Sequence, residues 1–592
     1  MPNLDVDRLI RGWRGPALAA LIAFLAGLPG LMALPPLDRD ESRFAQATTQ
    51  MLETRDFVNI SFQDTPRHKK PVGIHWLQAA SVSLFSSPWA RQIWAFRIPS
   101  LLGAMAAAAA CAWGATRFFG ARGGVLAGIA LGTSFILSTE AGIAKTDAVL
   151  CGATTLALAA LGRLYAQAKA GERLQKRLKL VFWIAMSVSI LIKGPIGPMV
   201  AALTLIALGF WDRQWRWIGK LGWKWGPLVL LLICGPWALA ITVATDGSFW
   251  TTAVTSDLAS KVAGGQEGHS GPPGYHLLLL PLLLFPATLL MPAGFASGWR
   301  HRASVGVRFA LCWLVPSWLV FELAPTKLVH YTLPLYGAVA WLIASLFIPL
   351  EPSPQDGASE AAHAISAFLG RTIEPVWRPI ASIGWSARWI GAALSAFAAI
   401  VVSAIAIVVT VKYGGAALDW VWVALTVACA VIGAGAGIWL LFKRDDKAKA
   451  LLVTCAGGLL AHACLVGGLA PRMTPLWLSR SLARAVIEHH IDPRNGVTPG
   501  PIAVLGYAEP SVVFLLGTET QLIAPVDTDD AADAIGEGRP VAVDSKDDSA
   551  FQAQLAKQHL TADVIATVRG VNYSKGKPVT LTLYLSKRKP AT

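Results

Sequence analysis

The sequence predicts a polytopic α-helical membrane protein of about thirteen spans, followed by a small α/β domain. Three observations carry this. The 592-residue chain is 54% hydrophobic and only 15% charged, with a mean hydropathy of +0.51, whereas soluble domains carry about a quarter of their residues charged. Apolar runs long enough to cross the hydrocarbon core, roughly 20 residues each, recur along most of the chain. From Pro501 onward the pattern changes to short β-rich runs alternating with helical ones.

The spans are expected near 16–34, 96–116, 123–141, 148–166, 180–193, 196–211, 227–244, 275–292, 306–323, 332–349, 389–411, 418–441 and 449–468. The first begins after Arg8, Arg11 and Arg14 and is followed by Pro35-Pro36 with no small-residue cleavage pattern, so it reads as a retained span. With the N-terminus in the cytoplasm, every second loop is rich in Lys and Arg. Examples are Arg117 and Arg122, then the cluster from Lys169 to Lys179, then Arg213 to Lys224, Arg300 to Arg308, and Lys443 to Lys449. This alternation is the positive-inside pattern. It accounts for the net charge of +15 without nucleic acid, and it puts the C-terminal region outside, in the periplasm of a Gram-negative cell. All seven cysteines fall in apolar segments, so neither a disulfide framework nor a zinc spacing is present.

Residues 1–470 thus form a membrane domain. Within it, 35–92 is the first external loop with juxtamembrane helices, and 350–388 is a cytoplasmic insertion, Ser/Ala/Pro-rich at its start. Residues 471–592 form an external region. Its amphipathic helix, Pro475 to His490, precedes strands in PIAVLGY, QLIAPV and PVAVDS, helices in DDAADAIG and SAFQAQLAKQ, and a closing hairpin, with a docking or supporting role.

The polar stretch Pro35–Trp76 is the densest chemistry in the membrane half. Pro35 and Pro36 end the preceding helix. A new amphipathic helix starts near Asp40, with Phe44, Ala45, Thr48, Met51 and Leu52 on one face, and is expected to lie in the membrane interface. Further external loops each hold ionisable groups where a helix meets water: AKTDAV around Asp147, LIKGPIGP around Lys193, Thr245 to Gly274, and APTKLVHY around Lys327. Taken singly, Asp40 and Asp147 fit helix N-caps and each cation fits a snorkelling anchor. Five such loops converging on one side of the membrane fit a site better.

DESRFAQATTQML followed by Lys-Pro resembles the first external loop of the GT-C aminoarabinose transferases and the related bacterial protein mannosyltransferases. FRIPSLLGA, AKTDAVL, KGPIGP and TKLVHYTLPLYG match further motifs in the same order over roughly the first 340 residues, and YAEPSVVFLLG resembles the start of the family's external domain. The resemblance implies a GT-C fold and inverting transfer of a monosaccharide from a polyprenyl-phosphate carrier to an acceptor at the outer face of the inner membrane. Lipid A or another envelope glycolipid is the favoured acceptor and a protein hydroxyl the alternative. A transporter of lipid-linked sugars is a more distant reading, because such proteins show internal repeats and midplane sites and no self-similar halves are visible here.

By the same resemblance, Asp40 is the catalytic carboxylate and Asp147 a second acid that orients the acceptor or Arg43. Lys70 contacts the donor phosphate, with Arg43, Lys193 and Lys327 as further cations, and His330 and Tyr331 bond donor oxygens. Glu41 pairs with a nearby base. The aminoarabinose transferases carry Glu just before the Lys-Pro lysine, an acid that helps bind a metal; here Lys69 stands in its place. A cation cannot ligate zinc, and His68 and His269 do not restore a site by spacing, so no metal or other cofactor is expected.

Overall fold

The computed structural model describes residues 10–253, 255, 270–347, 386–491 and 502–587. Most of the expected insertion (350–385), residues 256–269 with His269, and the start of the PIAVLGY run lie outside the described residues.

The membrane half begins with α1 (Arg14–Ala33), α2 (Asp40–Thr54), the two-residue strands β1 (Ser61–Phe62) and β2 (Thr65–Pro66), and α3 (Gly73–Phe85). Next come α4 (Ile93–Gly132), α5 (Phe135–Ala141), α6 (Asp147–Lys169), α7 (Lys176–Lys193), α8 (Ile196–Asp212) and α9 (Gly226–Ala244). After the short α10 (Ser248–Thr252) follow α11 (Tyr275–Leu284), α12 (Met291–Arg300), α13 (Val305–Leu323), α14 (Tyr336–Ala344), α15 (Ala387–Tyr413), α16 (Ala417–Trp439) and α17 (Lys447–His462).

Eight described helices are long and apolar enough to cross a bilayer, or nine if the pair bent by 116° at α11–α12 counts as one span. The sequence expectation of thirteen is higher for identifiable reasons. The runs at 96–116 and 123–141 share one helical stretch, α4, broken at Gly120 where φ is +68°. Its second half stops at Gly132 before the short α5. The run at 180–193 is helical, but α7 also carries Lys176, Arg177, Lys179 and Lys193. α8 and the helix Leu333–Phe347 are shorter than a full span.

Small residues set the close helix crossings that lipid-embedded proteins rely on. Ala19 and Ala23 of α1 meet Ala108 and Ala112 of α4, all buried. Gly103 of α4 lies against Val149 of α6 so tightly that a Cβ there would come within 2.6 Å of backbone atoms. That contact fixes the first turn of α6, and with it Asp147.

α2 does not lie in the interface with one face open. Phe44, Ala45, Thr48 and Met51 are buried as the amphipathic pattern requires, but Gln46 and Thr49 are buried as well. On one flank Thr48 Oγ1 hydrogen-bonds His75 Nδ1 and Gln78 Oε1 of α3, both at 2.8 Å. The other flank is closed by the C-terminal region.

That region holds α18 (Leu478–Glu488), β3 (Ala503–Leu505), α19 (Pro510–Leu516), β4 (Gln521–Ile523), α20 (Thr528–Gly536), β5 (Val541–Asp544), α21 (Asp548–Lys557), β6 (Ala562–Asn572) and β7 (Lys577–Ser586). The strands form one mixed sheet in the order β4-β3-β5-β7-β6, with β3 parallel to β4 and β5 and the β6–β7 hairpin antiparallel. Its core includes Val504, Ala542, Leu581 and Leu583 against Leu478, Leu482 and Val486 of α18. α19 seats the sheet on the membrane half. Phe514 meets Phe96 edge-on at 5.4 Å, and buried Arg91 donates to the carbonyls of Val513 and Phe514 and to the side chains of Gln46 and Glu53.

The pair Glu41–Arg97 ties the entry of α2 to the rest. Glu41 is 2% exposed and Arg97 fully buried. Arg97 grips the carboxylate through Nε at 2.8 Å and Nη2 at 2.7 Å. Its Nη atoms also donate to carbonyls at the end of α1 and just beyond: Gly30, Leu34 and Pro35 at 3.2, 2.6 and 2.9 Å. Glu41 further accepts from the backbone N–H of Leu37 and of Ala144, at 2.8 and 2.7 Å. The base is 56 residues away in sequence, not the local partner expected. Removing one member of a buried pair leaves an uncompensated charge, which costs about 3–5 kcal/mol. Glu41→Ala or Arg97→Ala should therefore lower the melting temperature in detergent sharply. Glu41→Leu with Arg97→Met should recover part of the loss but not all, since the orphaned carbonyls keep no donor; full stability in either single variant would disprove the role.

Candidate active site

Two carboxylates reach one cavity from the first turns of two different helices. Asp40 opens α2 and Asp147 opens α6, and neither is a cap. The N-cap positions are Arg39 and Thr146, and neither makes a side-chain cap hydrogen bond. Arg39 is held at φ +60°, a region costly for a side chain with a Cβ, and the segment before Asp40 is pinned from both sides. The backbone N–H of Asp38 donates to Tyr573 Oη at 2.6 Å, Ser511 Oγ donates to the Asp38 carboxylate, and Arg39 Nη2 donates to the Ser574 carbonyl at 3.3 Å. Burial, with Glu509 nearby, pushes the Asp38 carboxyl up to about 7.

The ribbon β1–β2 and the turn after it deliver the cations. Arg67 N donates to the Ile60 carbonyl at 2.7 Å and Lys69 N to the Arg67 carbonyl at 2.9 Å, and Pro71 then leads into α3. Arg67 and Lys70 both lie over the Phe44 ring, at 4.5 and 5.0 Å, contacts that hold a cation beside an apolar face. Arg67 also approaches Asp40 at 3.6 Å. From the C-terminus of α7, Lys193 reaches Asp147 at 2.5 Å and lies 5.5 Å above the Tyr331 ring.

Behind Asp147 sits a second polar layer. Lys145 bonds Glu140 at 3.0 Å and lies 3.7 Å from Asp147, and His330 bridges the two acids at 3.8 and 3.6 Å. Burial holds the His330 imidazole well below its usual value, though Asp147 opposes the shift. Burial acts to raise Asp40, but Lys70, Arg67, Lys145 and Arg43 outweigh it and hold the carboxyl below its ordinary range. Burial and then Lys193 push Lys70 down to about 8.

The cavity has a volume of about 420 Å³ and is lined by Asp40, Arg43, Lys69, Lys70, Asp147, Lys193, His330 and Tyr331. Eight of the ten residues singled out from sequence therefore share one space. Glu41 does not, being committed to Arg97. Nor does Lys327: its ammonium donates to the carbonyls of Phe321, Glu322 and Ala324 at 3.3, 2.6 and 2.5 Å, closing the C-terminus of α13. A lysine at that place satisfies orphan carbonyls, so its assignment to a phosphate is corrected to a helix cap. Arg67, Lys145 and Glu140 were not singled out. Lys145 sits in the AKTD motif and Arg67 in the RHKKP run, so both were within reach. Glu140 stands inside an apolar segment with nothing around it to mark it. The wall is completed by Ala508, Pro510 and Leu522 of the C-terminal domain. Among the described residues no group of three or more His, Cys, Asp or Glu side chains is placed to hold a metal ion.

The structure is thus a helical bundle that presents acids and bases at one end and is capped by a small mixed sheet. Among solved structures, the chain has the fold of ArnT from Cupriavidus metallidurans bound to undecaprenyl phosphate: the two match with a TM-score of 0.70 over 95% of this chain and 97% of the other, at 18% identity. Residues 69–239 match the family described as dolichyl-phosphate-mannose-protein mannosyltransferase. Relatives include the undecaprenyl phosphate-alpha-4-amino-4-deoxy-L-arabinose arabinosyl transferases of Pseudomonas paraeruginosa, 28% identical over 55% of this chain, and of Edwardsiella ictaluri, 27% identical over 57%. The chain matches 59% of the length of each.

The geometry separates two lysines that the sequence treated alike. Lys327→Met should lower thermal stability while leaving the affinity of the cavity for inorganic phosphate unchanged, and Lys70→Met should do the reverse. Equal effects of both variants on phosphate affinity would return Lys327 to the site.

Proposed function

We propose that the protein is a glycosyltransferase of the inner membrane. In this reading it moves one monosaccharide from a polyprenyl-phosphate carrier to lipid A or another envelope glycolipid at the periplasmic face. The observation that carries the reading is the convergence of Asp40 and Asp147, from separate helix starts, on a cavity that also gathers Arg43, Lys70 and Lys193. Acids and bases in one small space at a bundle end suit a reaction between a hydroxyl and a sugar phosphate.

In the proposed step the acceptor oxygen attacks the anomeric carbon from the face opposite the phosphate. The bond between that carbon and the phosphate oxygen breaks with inversion, and its electron pair leaves on the phosphate. Lys70 and Lys193 hold that phosphate as its charge grows, by charge-assisted hydrogen bonds. Asp40, kept ionised by the surrounding cations, aligns the acceptor hydroxyl and receives its proton as the new bond forms. Asp147, tied to Lys193 rather than to Arg43, fixes the lysine that meets the phosphate. Tyr331 braces the same lysine, and His330 holds Asp147 from behind. The transfer is assigned no metal, because Lys69 puts a cation beside Lys70 where the resembling family has an acid.

A protein hydroxyl is the alternative acceptor, supported by the match of residues 69–239 to a protein mannosyltransferase family. Mass spectrometry of envelope lipids from a deletion strain separates the two. Complementation with the wild-type gene should restore a sugar mass on lipid A or core, and Asp40→Asn should lower it about 10²–10⁴-fold, the usual worth of a positioned general base. Identical lipids in every strain would sink the lipid acceptor and move the search to glycoproteins.

Two further outcomes are expected. Because burial and then Lys193 push Lys70 down to about 8, its charged form is present below that pH and lost above it. Affinity for undecaprenyl phosphate should therefore fall as pH rises through about 8, approaching tenfold per unit, and Lys70→Arg should flatten the profile. Transfer should survive EDTA; loss on chelation with recovery on adding zinc would overturn the metal-free assignment.

A further inference from the structure

The helix that joins the bundle to the sheet is amphipathic, and its polar face is basic. Leu478, Leu482, Ala483 and Val486 of α18 pack into the sheet core, so the helical period turns Arg480 and Arg484 the other way. Both are exposed. They stand four residues apart, a spacing at which like charges destabilise a helix. Neither has a carboxylate partner among the described residues. Partial desolvation, and after it the neighbouring Arg484, hold the Arg480 guanidinium below its ordinary value.

The two arginines line a pocket of about 620 Å³ together with Arg472, Asp419, Tyr413 and Trp477, and none of these residues lines the active-site cavity. Asp419 is the one carboxylate in the lining, and the fold has already spent it. It accepts from the backbone N–H of Gly415 and Ala416 at 3.1 and 3.0 Å and from Arg472 Nε at 2.6 Å. The charge of Arg480 and Arg484 is therefore left over. The pocket opens where two spans end, since Tyr413 is the last residue of α15 and Ala416 the cap of α16. Beside it Val411, Leu418, Trp420 and Val421 are exposed, as side chains facing hydrocarbon are. Aromatic side chains gather at a membrane boundary, and here they are Tyr413, Trp420 and Trp477.

We propose that this pocket binds the headgroup of an anionic phospholipid, with Arg480 and Arg484 on its phosphate and its acyl chains along the exposed apolar ends of α15 and α16. The inference is independent of the transferase reading. Guanidinium groups pair with phosphate through two parallel hydrogen bonds, and basic groups at a membrane boundary attract anionic lipids. A zwitterionic lipid brings a cation of its own, which the two arginines repel. Free phosphate gains the hydrogen bonds but none of the apolar contact. Such a lipid fastens α18 to the bilayer, and with it a wall of the active site. Ser479 of that helix lies 2.6 Å from the Ser511 hydroxyl that reaches Asp38, and the Trp477 ring meets that of Tyr573 at 6.1 Å.

The test titrates the full-length protein, delipidated in detergent, with dioctanoyl-phosphatidylglycerol or dioctanoyl-phosphatidylcholine and counts bound lipid by native mass spectrometry. The expected result is at least a tenfold preference for phosphatidylglycerol, lost when Arg480→Gln and Arg484→Gln are combined. Lys443→Gln, at the far end of α16, should keep the preference, and so should Lys70→Met in the active-site cavity. Without lipid the double variant should melt as the wild type does, because neither arginine holds another part of the chain. It should lose only the rise in melting temperature that phosphatidylglycerol gives, since a ligand stabilises the state it binds. Equal affinity for the two lipids, or a preference that survives the double substitution, would overturn the site. A preference abolished by Lys70→Met would also overturn it, by placing the lipid in the other cavity. Inorganic phosphate that displaces the lipid at equal concentration would overturn a phospholipid as the occupant.

Discussion

Everything at the site hangs on how the chain leaves α1 and enters α2, and the Glu41–Arg97 pair governs that passage. Two prolines stop α1, which leaves its last carbonyls without intrahelical partners. Arg97, from the first turns of α4, supplies the donors for them and meets Glu41 with the remainder of its fork. Glu41 in turn holds the N–H of Ala144, three residues before Asp147. One buried carboxylate therefore sets the relative position of α1, α2, α4 and the start of α6. Burying an ion pair is weak evidence for stability, because desolvation offsets much of the attraction. Its worth here is geometric: with all its partners satisfied it permits one arrangement of four chain segments and penalises the others.

That geometry explains why two adjacent acids have different environments. Asp40 and Glu41 are consecutive in an α-helix, so they point about 100° apart. Glu41 faces inward to a permanent partner, while Asp40 is half-exposed to the cavity and meets Arg67 only at 3.6 Å. A carboxylate whose hydrogen-bonding capacity is consumed by the fold has none to offer a ligand, whereas one surrounded by cations but loosely paired stays ionised and available. The same distinction separates Lys327, spent on three carbonyls, from Lys193, which faces the cavity.

The sequence made much of this legible. The hydropathy runs located the membrane half because a helix in hydrocarbon must be apolar over its length. The short strands after Pro501 could be read because a buried strand needs only a few β-branched residues between turns. Reading failed where tertiary context decides. Span counting merged length with crossing, so a helix broken at Gly120 and a pair bent at α11–α12 were taken at face value. α2 was assigned to the interface because a short amphipathic helix beside a membrane lies there, yet Gln46 and Thr49 off its apolar face are buried too, Gln46 bonded to Thr518 some 472 residues away. Lys327 stood in a loop with the right company, and no local pattern distinguishes a cation that caps a helix from one that faces a ligand. Glu140 was hidden for the opposite reason, as a lone acid in an apolar run gives no sign of the lysine and histidine that surround it.

The C-terminal domain is the least expected participant. Its sheet contains no catalytic motif, which fits a supporting part, yet its position makes it a wall of the site. Ala508, Pro510 and Leu522 line the cavity together with the basic turn. Ser511 and Tyr573 hold Asp38 and the backbone two residues ahead of Asp40, and the strained Arg39 lies directly between. Strain at a non-glycine residue persists only where its surroundings over-determine it. Here the surroundings are a buried ion pair in the membrane half on one side and hydrogen bonds from the domain on the other. The orientation of Asp40 is therefore a joint property of two parts of the chain, and the domain contributes to the site by fixing where a carboxylate stands rather than by supplying one.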